Sequence, residues 1–101
     1  MSSNLASLVQ AKNKCVEASL FLNDAFVSHN GEYLAESMRL YTEALGLCFD
    51  LEEPYLALAY LAWQLNDRPT AIQLLQQLCA LHPLHEQSNQ MLEEIRSELI
   101  L

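Results

Sequence analysis

Apolar residues recur along the chain at helical spacing, in five runs separated by short polar or proline-containing breaks. From Ser3 to His29 the marks are Leu5, Leu8, Val9, Cys15, Val16, Leu20, Leu22 and Phe26, which predict a first helix. It is long for a single helix, so a break near Asn13 stays open. Asn30-Gly31 is the expected stop, because Gly takes the left-handed cap conformation at little cost. A second helix is predicted from Tyr33 to about Cys48, with Leu34, Met38, Tyr41, Leu45 and Cys48 at alternating spacings of four and three. Glu32, Glu36 and Glu43 fall on its other faces.

The third helix runs from about Glu53 to Leu65, with Pro54 in its first turn, where the missing N–H is no loss. Its stretch Tyr55–Trp63 is apolar nearly all round. Such a helix is either buried on several sides or offers an apolar surface. Asn66-Asp67-Arg68-Pro69 is a turn in which Asn66 or Asp67 caps a fourth helix. That helix carries Ala71, Ile72, Leu74, Leu75 and Leu78 and runs to about Leu81, with Pro83 ending it. A fifth, from about His85 to Leu99, has Met91, Leu92 and Ile95 on one side. No strand pattern competes, so the chain is predicted to be all-α, with short loops favouring antiparallel neighbours.

The helices repeat. Sliding the chain by about 34 residues lays Tyr41–Leu47 over Leu75–Leu81, Ser37 over Ala71, Met38 over Ile72 and Ala25 over Ala59. From Glu52 to His85, Tyr55, Leu58-Ala59, the Asn66-Asp67 turn, Ala71 and Pro83 follow the order of a tetratricopeptide repeat, with Trp63 one residue past the second aromatic position and Leu75 replacing the aromatic of the second helix. Ser37 to Leu47, with Tyr41 and Ala44, resembles the second half of an earlier copy. Asp24-Ala25 stands in for Leu-Gly in its first half, which aligns only to within one residue. The resemblance implies one domain over 1–101: a helical extension at 1–17, a degenerate repeat at 18–51, a second repeat at 52–85 and a capping helix at 86–101. The architecture it implies is a short right-handed superhelix of stacked antiparallel helix pairs.

Such a stack implies a protein-binding module whose concave groove takes an extended or helical peptide. Mapped from the better copy, that groove is lined by Leu56, Tyr60, Trp63 and Gln64 on the third helix and by Gln87, Gln90 and Glu94 on the closing helix. On the first helix it takes Leu22, Phe26 and His29, or Phe21 and Ala25 if the register shifts by one. Family members that grip acidic tails use Lys, Arg and Asn there. This chain has Leu and Phe, so the expected ligand is an apolar or basic-amphipathic segment of another protein. Tyr60 and Trp63 are equally readable as core. Tyr41, Leu45, Leu58, Ala71, Leu75 and Leu78 are expected to hold the helices together.

Composition and charge narrow the classes. The 101 residues suit one domain, and 51% hydrophobic against 18% charged excludes a disordered acidic tail. Five Lys and Arg against thirteen Asp and Glu give a net charge of −8, which repels nucleic-acid phosphates and anionic lipid and attracts basic partners. No apolar run approaches the ~20 residues of a membrane span, so no membrane insertion is expected. The first residues show no basic stretch followed by an apolar run, and Cys15, Cys48 and Cys79 are scattered. A cytoplasmic setting with free thiols is expected. No phosphate loop, nucleophile elbow or zinc-site spacing is present, and His82 and His85 are split by Pro83. No enzyme, metal or cofactor is expected.

Two other readings stay open. The segment Ser3–Glu17 could pack against another copy, making the protein a self-associating subunit. Residues 5–48, with Gly31-Glu32-Tyr33, Met38, Leu40-Tyr41 and Glu43-Ala44-Leu45, resemble microtubule-interacting-and-transport domains, three-helix modules that bind short amphipathic helices. The helices after Pro54 exceed that fold.

Overall fold

The computed structural model describes residues 5–100, and the expected helix start at Ser3 lies outside them. Five helices follow one another: α1 (Leu5–Ser28), α2 (Gly31–Leu47), α3 (Glu52–Gln64), α4 (Arg68–Leu81) and α5 (Glu86–Ile100). No strand occurs among the described residues. The fold is all-α. The chain divides into two compact units, one up to Pro54 and one from Tyr55.

The first unit is the α1–α2 hairpin. α1 is continuous through Asn13, and its buried residues are Ala11, Cys15, Ala18 and Ala25, with half-buried Leu22 between them. These alternate by four and three, which is the seam of a closely packed helix pair. The facing seam of α2 is Ser37, Leu40, Tyr41 and Ala44, and buried Cys48 follows at its C-cap. Ser37 is fully buried and its hydroxyl donates to the Ala18 carbonyl at 2.9 Å. Lys14 reaches Glu43 at 2.8 Å. Early α1 thus meets late α2, and the pair is antiparallel.

The large apolar residues that mark α1 in the sequence lie elsewhere: Leu5, Val9, Val16, Leu20 and Phe26 are exposed. Small residues fill the seam because they allow the two backbones to come close, as the Ser37–Ala18 bond requires.

The turn also departs from expectation. Gly31 is not the left-handed cap but the first residue of α2, and no glycine has positive φ. His29 takes that conformation, with φ 55, and the Asn30 N–H closes the turn on the Ala25 carbonyl at 3.2 Å. Asn30 is the residue that must precede α2, because its side chain accepts from the Glu32 N–H at 2.9 Å and so caps the helix.

The second unit builds the same turn again. Asn66 has φ 67, and the Asp67 N–H bonds the Ala62 carbonyl at 2.8 Å. Asp67 caps α4 through Thr70 N–H at 3.4 Å, with Pro69 in the first turn. The two turns are 37 residues apart, not 34, because α2 has 17 residues and α4 has 14. The helix ends Leu47 and Leu81, and the helix starts Glu52 and Glu86, keep the 34-residue spacing. Counted from the turns, Phe26 is the counterpart of Trp63, not of Tyr60.

The core of this unit is Ala59 and Ala62 of α3, Ala71 and Leu75 of α4, and Leu92 and Ile95 of α5. His85 starts α5: its ring Nδ1 accepts from the Ser88 N–H at 3.2 Å, and the buried Ser88 hydroxyl donates to the His85 carbonyl at 3.0 Å. Both His82 and His85 are half-buried.

Candidate functional site

α3 carries the most distinctive surface. Tyr55, Leu58, Ala59, Leu61 and Ala62 are buried, a broad arc of the helix. At 100° per residue, Leu56, Tyr60 and Trp63 share the remaining side. Leu56 and Trp63 are half-buried and pack on the Ala59–Ile95 core. Tyr60 is the exposed one of the three, with Gln64 exposed one turn on.

Trp63 is held by a network invisible in the sequence. Its indole N–H donates to Glu98 of α5 at 2.6 Å. The other Glu98 carboxylate oxygen meets Arg68 at 3.2 Å, and Arg68 donates to Asn66 at 2.5 Å. Glu98 therefore pins α5 to both sides of the α3–α4 turn, from 35 and 30 residues away. An indole whose N–H is used and whose ring lies on the core has a packing role, which leaves Tyr60 as the exposed aromatic of this side. Gln87 and Gln90 are exposed on α5.

In the first unit, Leu22 falls on the inner α1 seam, four residues after Ala18 and three before Ala25. Phe26 is exposed and borders a depression of about 260 Å³ with Ala25, His29, Asn30, Gly31 and Leu34. The shifted pair is engaged differently: the Phe21 ring tilts against Tyr33 at 5.9 Å and Ala25 is buried. A larger open cleft of about 630 Å³, missed in the sequence, lies between α1 and α2 and includes Asn13, Lys14, Glu43 and Leu47 in its lining. Lys14 and Arg39 both reach Glu43, and Arg39 also holds Glu36. The Lys14 hydrogen bond and the Arg39 charge hold the Glu43 carboxyl below its usual range, and Arg39 does the same for Glu36. These are exposed ion pairs of small energetic weight.

All three thiols are free. Burial, reinforced by the charges of Glu53 and Cys48, pushes the Cys15 thiol from its ordinary 9.0 up to about 11. Burial, with Glu53 and Cys15, raises Tyr41 from 10.0 to about 12. A thiol so placed is no nucleophile at neutral pH. The unfolded chain gives up these protons first, so stability is full below about pH 9 and falls as pH rises through 11. The share of that loss due to Cys15 by pH 11 is on the order of 2–3 kcal/mol, read as a falling melting temperature. Cys15→Ala should flatten that fall.

No group of three or more His, Cys, Asp and Glu side chains among the described residues could hold a metal ion. No helix among them is long and apolar enough to cross a membrane. The molecule these elements define is an all-helical protein with an aromatic side on α3. Comparison with protein-family models, curated proteins and solved structures gives no match.

Proposed function

We propose that this chain is a protein–protein interaction module that holds an apolar or basic-amphipathic segment of a partner, with Tyr60 as its anchor. On this reading the chain is a short tetratricopeptide-like adaptor, as its Tyr55–Pro83 pattern suggests. The exposed Tyr60 ring carries the proposal: it stands beside Leu56 and Trp63 on a helix whose other faces are buried. Tyr is suited to this, since it buries large area with few rotamers to freeze. Gln64, Gln87 and Gln90 supply neutral donors and acceptors, while Leu22 is taken up by the α1–α2 seam and carries no part of the proposal. The net charge of −8 steers a cationic ligand toward the chain.

The test uses Trp63, the sole tryptophan, as reporter. A synthetic amphipathic helix of Leu and Lys is titrated against the protein, with an acidic-tail peptide beside it. The basic peptide is expected to shift Trp63 emission, and the acidic one to leave it unchanged. Tyr60→Ala should weaken binding by about tenfold or more with circular dichroism and melting unchanged. Equal binding by a folded Tyr60→Ala variant would place the ligand elsewhere.

A further inference from the structure

We infer that the protein pairs with a second copy of itself, through a parallel two-stranded coil of α1 helices that uses the side of α1 turned away from α2. Val9, Val16, Leu20 and Val27 are 50%, 59%, 61% and 74% exposed. With exposed Ala6, Asn13 and Asn23 they fill positions 6, 9, 13, 16, 20, 23 and 27, alternating by three and four. This is a coiled-coil seam over three heptads. At 100° per residue it lies opposite the inner seam Ala11, Cys15, Ala18, Leu22 and Ala25, which α2 already fills. α1 thus carries two seams, one closed and one open. Its 24 residues extend about 36 Å, enough for the whole pattern to engage.

Charge selects the occupant and its direction. α1 holds Lys12 and Lys14 against Glu17 and Asp24, so it is neutral in a chain of net charge −8, and two copies can meet along it without like-charge cost. Lys12 and Glu17 are exposed on opposite flanks of the open seam, five residues apart. A parallel pair sets each residue of one flank beside the residue five positions later on the partner's other flank. Lys12 then meets Glu17 of the partner subunit, twice by symmetry, while Ser19 and Asp24 form an uncharged–charged pair. An antiparallel pair would bring the acidic flank with Glu17 and Asp24 against itself, with no cation to offset it. Asn13 and Asn23 are the polar residues of the seam, and Asn13 falls at the first core position of its heptad, where in register it bonds its own counterpart and favours two strands at a cost in stability. The inference concerns a different face from Tyr60, so it stands or falls separately from the proposed ligand-binding role.

The test is sedimentation equilibrium of the purified full chain. A concentration-dependent rise from 11.5 kDa to twice that mass is expected. Val16→Glu with Leu20→Glu should leave a monomer with unchanged helical circular dichroism, since both positions are exposed in the single chain. Lys12→Glu should weaken association by about tenfold, and adding Glu17→Lys should restore it. A monomer at millimolar concentration, association that survives Val16→Glu/Leu20→Glu, an assembly larger than two chains, or a charge swap that fails to restore would each overturn the parallel pair.

Discussion

Ala18→Leu is expected to break up the α1–α2 pair. Ala18 is fully buried at the centre of the inner seam, and its carbonyl takes the hydrogen bond from the buried Ser37 hydroxyl at 2.9 Å. A Leu side chain has no space between two helices this close, so the helices must part. Overpacking costs about 1–3 kcal/mol, and stranding a buried hydroxyl adds about 1–3 kcal/mol. Together the loss is on the order of 3–5 kcal/mol, a large share of the 5–15 kcal/mol that holds a typical domain. The measurement is the urea midpoint by circular dichroism. The contrast within one helix sharpens it: Leu20→Ala, two residues on and exposed, should stay within about 0.5 kcal/mol in dilute solution. If Ala18→Leu were as mild as Leu20→Ala, the small-residue seam would not be the core of this unit.

That contrast also explains what the sequence could and could not reveal. All five helices are legible, because Asn30, Pro54, Asp67 and Pro83 punctuate apolar runs of helical period, and the observed ends fall within about two residues of those read from the pattern. Which face of α1 is buried was not legible. Its two seams share the same three–four alternation, and the hydrophobic signal favours Val9, Val16 and Leu20 over Ala11, Cys15 and Ala18. Side-chain size decided the matter: the pair needed close approach, which only small residues permit. The turn departs from its sequence pattern because of the cap that follows it. Gly31 looked like the left-handed residue, but Asn30 is needed as a cap immediately before α2, which moves that conformation back to His29.

At the candidate site, the shared side of Leu56, Tyr60 and Trp63 follows from spacing alone. What separates Tyr60 from Trp63 does not. The division rests on Glu98, which reaches Trp63 and Arg68 from the far end of α5. A contact across 35 residues leaves no periodic trace. A shift of 34 residues, which lays Ala25 over Ala59, sets Phe26 against Tyr60, whereas the turns set it against Trp63, because α2 is three residues longer than α4.

Leu75→Ala is expected to cost the second unit about 3 kcal/mol, within the 2–5 kcal/mol of buried Leu truncations. Leu75 is fully buried among Ala59, Ala62, Ala71, Leu92 and Ile95. Three of those five neighbours are alanines, whose methyl groups have no torsion by which to swing into the space left behind. The surroundings therefore cannot collapse easily, and the cavity stays open. At about 4–8 °C per kcal/mol for a domain of this size, the melting temperature should fall by roughly 12–24 °C. Trp63 packs on the same cluster, so its emission follows this unit while circular dichroism follows all five helices. Trp63 is expected to report the loss in full. Leu84→Ala serves as the reference, since Leu84 is 96% exposed and its truncation should change neither signal. A Leu75→Ala loss below about 1 kcal/mol would mean that the alanine-rich wall moves in after all. The Trp63–Glu98–Arg68 network would then be the stronger tie between α3, α4 and α5.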